Sequence, residues 1–103
     1  MNKEKALKTL GLAYSIRKCA VGEEQALLSV QSRKSSLVLL ASDAGLNTSK
    51  RISDKSKTYG VSISRAFSSA ELSHALGKEN RMVVSINSRD FAKLIQEALQ
   101  EIA

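Results

Sequence analysis

The chain has one cysteine, one histidine and no proline among its 103 residues. Cys19 cannot form an internal disulfide, and one thiol with one imidazole, His74, is too few ligands for a structural zinc site. A reducing compartment fits, and no metal is expected. Without proline the commonest marker of a domain boundary is missing, and no linker, low-complexity tract or internal repeat takes its place. No apolar run reaches the roughly 18 residues of a membrane span. Residues 1–20 carry charges inside every apolar stretch and show no small-residue cleavage site, so a cytoplasmic protein without export or membrane attachment is expected. Neither the Gly-Lys-Ser/Thr phosphate loop nor the glycine fingerprint of dinucleotide sites is present. His74 and Cys19 lie far apart with no orienting partner, Asp43 and Asp54 are isolated acids, and Cys19 falls in an apolar segment where thiols are usually inert. No catalytic constellation is supported. The expectation is a monomer that binds without turnover and without a cofactor.

What is present is an ordinary globular composition, 43% hydrophobic and 25% charged, in a length suited to a single domain over residues 1–103. The net charge of +6 is unevenly placed. Residues 1–60 hold eleven Lys/Arg against five Asp/Glu, and residues 61–103 hold five of each. Such asymmetry fits a surface that meets polyanions, and equally a basic protein with solvated lysines.

Hydrophobic spacing orders the elements. Ala6, Leu7, Leu10 and Ala13 or Tyr14 give a first amphipathic helix over Lys3–Ser15. A short apolar segment, Cys19–Val21, ends in Gly22, and Glu23, Glu24 and Gln25 open a second helix whose acids suit the positive end of its dipole. It should stop between Gln31 and Lys34. Leu37–Ala41 is apolar throughout and too short for a typical helix, which predicts a central strand covered on both faces. Asn47 or Thr48 should cap a third helix that runs to Tyr59 and closes at Gly60. A short strand, Val61–Ser64, follows, then a fourth helix capped by Ser68 or Ser69 and ending at Gly77, a strand Arg81–Ile86, and a last helix from Ser88 or Asp90 to Ile102. This alternation predicts an α/β fold: a three-layer α/β/α sandwich around a mainly parallel or mixed sheet of about four strands.

Two segments could carry binding chemistry. Gly22 places a helix N-terminus beside three acceptor-bearing side chains, Glu23, Glu24 and Gln25. These can accept from a guanine N–H, or can simply cap the helix and offset its dipole. The third helix carries Lys50, Arg51, Lys55 and Lys57, which either meet phosphate or form a solvated face partly neutralised by Asp54.

An ordered set of segments resembles a known family. Leu10–Ala13, Val21–Glu24, Leu37–Ala44, Asn47–Arg51, Glu71–Leu72 with Ala75–Lys78, and Asp90–Lys93 resemble, in one register from about residue 5 to residue 95, the bacterial YlxQ-like proteins. These are relatives of the large-subunit ribosomal proteins seven-Ae and thirty-e in the kink-turn-binding superfamily. The resemblance implies a non-catalytic RNA-binding protein, ribosome-associated, with ribosomal or another kink-turn-containing RNA as partner. It implies a site at Gly22, Glu23, Glu24 and Gln25, at Asn47, Lys50 and Arg51, and at Arg65, Ala66, Phe67, Ser68 and Ser69. In the best-known kink-turn binders the glycine is followed by a small or aromatic residue, Asn or Lys, Glu or Gln, and three residues later a lysine. Here Glu23, Glu24, Gln25 and Leu28 stand there, so Gly22 and Gln25 match the stricter pattern. A general structured-RNA binder and a protein-interaction module on the same scaffold are the alternatives.

Overall fold

The structure, a computed structural model, describes residues 2–100. Helix α1 (Lys3–Ser15) starts at Asn2, whose side chain accepts from the Lys5 N–H, and buries Ala6, Leu10 and Ala13 at the expected helical spacing. Strand β1 (Cys19–Val21) leads through Gly22 into α2 (Glu23–Gln31), then β2 (Leu37–Leu40) and α3 (Leu46–Thr58). After β3 (Ile63–Ser64) come α4 (Ser69–Leu76), β4 (Val83–Ile86) and α5 (Arg89–Leu99). Ser68 caps α4 in a full capping box with Glu71, and Ser88 caps α5.

Four boundaries differ from the sequence reading by two residues or more. Helix α3 is entered two or three residues earlier, with Gly45 as its N-cap, so Asn47 and Thr48 lie inside the first turn and cap nothing. Strand β3 keeps two of its four expected residues, and β4 begins at Val83 rather than Arg81, because pairing rather than apolar content sets where a ladder starts. Helix α5 ends at Leu99, where Gln100 turns left-handed (φ 59°); the expected end at Ile102 lies outside the described residues.

The sheet order is β1-β4-β2-β3. β4 runs antiparallel to both β1 and β2, and β2–β3 is the parallel pair, so the sheet is mixed rather than mainly parallel. The last strand inserts between the first two, which makes β4 and β2 both interior. Alternate residues of these strands face opposite layers. Leu37, Leu39, Val84 and Ile86 pack with α1, α4 and α5 around Leu10, Leu72, Leu76 and Ile95. Val38, Leu40 and Val83 pack with α2 and α3 around Leu27, Val30 and Ile52. Each such aliphatic side chain contributes roughly 1.5–3 kcal/mol by leaving water, and the two cores together lock the helices to both faces.

Two details tune the packing. Gly11 brings α1 against α4, since a Cβ there would sit 3.3 Å from the Ala75 carbonyl oxygen. Ser85, fully buried on β4, donates to Asn87 Oδ1, and Asn87 donates in turn to the buried Ser29 hydroxyl on α2, so this polar group is satisfied inside the core.

Candidate nucleic-acid interface

Because β1 and β2 run in the same direction, their exits, Gly22 and the 41–45 turn, emerge at one end of the sheet. The segment entering α4 is tied to this end as well. Gly22 donates to the Val83 carbonyl at the entry of β4 and adopts φ 104°, ψ 158°, a conformation essentially closed to other residues. Nothing lies within 4 Å of where its Cβ would be. The backbone at the start of α2 is therefore open to close approach from outside.

The two glutamates that follow are engaged by α3. Thr48 donates to Glu23 Oε1 at 2.7 Å, and Arg51 Nη1 reaches both Glu23 Oε2 and Glu24 Oε1 at 2.6 Å, with Nη2 on Glu24 Oε2 at 3.3 Å. The Thr48 hydroxyl and then the Arg51 guanidinium hold the Glu23 carboxyl below its ordinary value, and Glu24 and Glu23 push the Arg51 pKa up. Arg51 thus neutralises part of the charge with which two glutamates at a helix start would repel a phosphate. It is committed to them before any ligand arrives. Gln25 is exposed and, among the described residues, its side chain has no hydrogen-bond partner, which leaves the amide available to a base edge. Lys50 and Asn47 are exposed on the first turns of α3, and Lys50 has no ion pair among the described residues. Asp54, considered above as a neutralising acid for Lys50 and Lys57, pairs with neither among the described residues.

The 65–69 segment is held by two ties that no local sequence pattern announces. Asp43 accepts from the Ser69 N–H at 2.7 Å and its hydroxyl at 2.6 Å, and these bonds, the hydroxyl first, lower the Asp43 pKa. Arg65 spans the same turn, donating to the Ala41 carbonyl at 2.9 Å and to Ser49 Oγ at 3.2 Å. Within the segment, Phe67 is 1% exposed and belongs to the larger core, so its ring anchors the loop from beneath and is not presented to solvent. Ala66 and Ser69 are half-buried, and the Ser68 hydroxyl is used as the α4 cap. The expected site residues therefore gather at one end of the sheet, with Gly22, Gln25, Asn47 and Lys50 open and Arg51, Arg65 and Phe67 occupied. Asp43 and Thr48 join as positioning residues. Leu46, 87% exposed beside Asn47, joins as an apolar side chain that burial does not explain.

Elsewhere, burial pushes the Cys19 thiol up to about 12, so it stays protonated and unreactive. His74 is exposed on α4, and no group of metal-ligating side chains occurs among the described residues. No helix among them is long and apolar enough to cross a membrane.

A sandwich with its open helix starts gathered at one end of a mixed sheet is a binding scaffold of the L7Ae type. The chain belongs to the ribosomal protein L7Ae/L30e/S12e/Gadd45 family, whose pattern matches residues 4–95. It is 36% identical over 99 residues to the RNA-binding protein YlxQ of Enterococcus faecium, covering 96% of this chain and 95% of that one. To the RNA-binding protein YlxQ of Bacillus subtilis (strain 168) it is 40% identical over 87 residues, covering 84% and 87%. These identities bear out the resemblance drawn from the sequence. Among solved structures, a protein of unknown function from Bacillus halodurans superposes with a TM-score of 0.88 at 34% identity, covering 94% of this chain and 98% of that one. The Giardia lamblia 15.5kD RNA binding protein shares the fold, with a TM-score of 0.80 at 20% identity over 97% and 89% of the two chains. The names carried by the family and by the YlxQ relatives point to ribosomal and RNA-binding proteins and not to enzymes.

Proposed function

We propose that the chain is a cytoplasmic RNA-binding protein that recognises kink-turn or similarly bent structured RNA, ribosomal RNA among the partners, through the end of the sheet formed by Gly22–Gln25, Asn47–Arg51 and Arg65–Ser69. The observation that carries this reading is the junction of three separate segments into one surface by the Glu23–Thr48, Arg51–Glu24 and Arg65–Ser49 bonds, with Asp43 holding Ser69 beside them. At its centre is a glycine with open space above it and an unengaged amide, Gln25, beside it. A sharp bend in duplex RNA exposes guanine edges that an amide oxygen can accept from, and the bare Gly22 backbone lets the bend come close. Lys50 supplies phosphate contact and the protruding Leu46 an apolar surface for an unstacked base. The two YlxQ relatives are named as RNA-binding proteins, which supports an RNA partner in general.

The test is a titration of wild type and Gln25→Ala on a kink-turn RNA and on a control in which the G·A pairs are replaced by Watson–Crick pairs, at fixed salt. Gln25→Ala should cost roughly 1–3 kcal/mol on the kink-turn, the range of a base-edge contact, and much less on the control. Equal binding of both RNAs by wild type rejects kink-turn recognition. One observation favours a second reading, a structured-RNA binder without that preference: Leu28, 57% exposed, stands where the best-known kink-turn binders have a lysine.

A further inference from the structure

The helix ends at the opposite end of the sheet carry a repeated feature that the site above does not use. Helices α1, α2 and α3 close alike: the residue after the cap turns left-handed, and the next N–H reaches back to a carbonyl in the last turn. In α3 the left-handed residue is Gly60 (φ 67°). In α1 and α2 it is an arginine, Arg17 (φ 61°) and Arg33 (φ 62°), each followed by a lysine. The closing bonds run from Lys18 N–H to the Ala13 carbonyl at 2.8 Å and from Lys34 N–H to the Ser29 carbonyl at 2.9 Å. Glycine or asparagine fills this position without strain, whereas arginine adopts it at a cost.

The two Arg-Lys turns are brought together by β4. Asn87 N–H donates to the Lys18 carbonyl at 2.7 Å, and its side chain donates to the hydroxyl of Ser29, whose carbonyl closes the second turn. β1 and β2 flank β4, so the turns that feed them stand about two strand spacings, roughly 10 Å, apart. Arg17, Lys18, Arg33 and Lys34 are all exposed and make no ion pair among the described residues. Arg89, the exposed first residue of α5, adds a fifth cation beside Asp90. The Arg33 guanidinium carbon lies 5.3 Å from the Tyr59 ring centroid, within cation–π range, which favours a position over that ring.

Offsetting two helix dipoles would need basic residues near the C-termini but not at the left-handed positions. We propose that this pole is a second RNA surface, which holds the phosphate backbone of a duplex while the Gly22 end holds the first, so that the protein bridges two RNA segments. The inference rests on RNA binding but not on kink-turn preference. RNA already held at the first site supplies further duplex at high effective concentration, which favours RNA over an acidic protein as occupant.

The experiment titrates the full chain with a plain RNA duplex across a range of salt concentrations. It compares wild type with Arg17→Gly/Lys18→Gln/Arg33→Gly/Lys34→Gln, whose glycines suit the left-handed positions. The fourfold variant should bind roughly tenfold or more weakly, with a salt slope shallower by about three to four. Its melting temperature should hold or rise, and its ratio of kink-turn to control affinity should be unchanged. Lys18→Gln/Lys34→Gln, which keeps both arginines, should give about half the change in slope. Unchanged affinity and slope, as expected if the pole meets an acidic protein or only solvent, overturn the proposal. So does a wild type that binds no duplex, or a fall in melting temperature that accounts for the lost binding. A wild type without kink-turn preference rejects the earlier reading, while the slope difference on plain duplex still decides this one.

Discussion

Gly22 and Gly45 offer one substitution with two opposite expected outcomes. Both are N-caps, of α2 and α3, neither makes a side-chain capping bond, and neither has an atom within 4 Å of the position a Cβ would take. Serine is among the best N-caps, so on capping grounds both Gly→Ser changes should help by a few tenths of a kcal/mol. The backbone separates them. Gly45 has φ −62° and ψ 163°, ordinary extended geometry, and loss of glycine's freedom in the unfolded chain adds about 0.4–1 kcal/mol to its stability. Gly22 has φ 104° and ψ 158°, where a side chain costs about 1–3 kcal/mol, more than a cap returns. Chemical denaturation followed by circular dichroism should therefore show Gly45→Ser neutral or more stable. Gly22→Ser should be less stable by roughly 2 kcal/mol, about 10 °C in melting temperature for a domain of this size. RNA affinity, measured well below both transitions, should fall for Gly22→Ser, because the hydroxymethyl occupies the open space above the helix start. If both variants gain stability, backbone conformation is not what reserves position 22 for glycine.

The sequence was most informative where a single element decides its own boundaries. Helix α1 follows from Ala6, Leu10 and Ala13 alone, the α4 cap from Ser68 with Glu71 three residues on, and the two-faced burial of β2 from its unbroken apolar run. It was less informative where a boundary is set by a partner. β4 inserts between β1 and β2, which no periodicity encodes, and that placement decides between the mainly parallel and the mixed sheet that the alternation allowed, leaving a mixed sheet with a single parallel pair. Asn47 and Thr48 have the chemistry of caps, but Thr48 is drawn off by Glu23 across 25 positions, and the cap falls to Gly45. The site divides in the same way. Gly22 and Gln25 stand out in sequence, because a glycine before a helix and an amide in its first turn are local features. The engagement of Arg51 by two glutamates and the Asp43–Ser69 tie are long-range, and they change what the neighbouring residues can do. Phe67 came into the expected site as part of a loop and proves to be that loop's buried anchor.

Three further outcomes follow from the charges at the site. Arg51→Ala frees Glu23 and Glu24 to repel phosphate, so it should weaken RNA binding more than Lys50→Ala does, and adding Glu24→Gln should recover part of the loss; equal effects of the two single variants, read by titration, would mean the glutamates are not part of the surface. Glu23, Asp43 and Glu71 all have lowered pKa values, from the bonds of Thr48 and Arg51, of Ser69, and of the Ser68 backbone with Lys3. Their contribution to stability is complete above the ordinary carboxylate range and is lost as pH falls through the lowered folded values, so denaturation midpoints should drop below about pH 4, and a midpoint flat through that range contradicts the assignment. The last outcome concerns Leu28, which follows Glu24 by four residues and Gln25 by three and so shares their exposed stripe on α2. At 57% exposed it gives the core little, and lysine is as good a helix former as leucine, so Leu28→Lys should leave stability within about 0.5 kcal/mol of wild type. A lysine here, one turn behind Glu24 and Gln25, can reach a phosphate of RNA bent over the helix start. Affinity should therefore rise and the salt slope steepen by about one. The same substitution on a surface that RNA does not touch would add only a distant charge, with a small gain that leaves the slope nearly unchanged. A steeper slope on both RNAs thus places the backbone over α2 whether or not the G·A pairs are read. An unchanged slope with unchanged folding would remove α2 from the interface and leave the basic first turns of α3 to carry it.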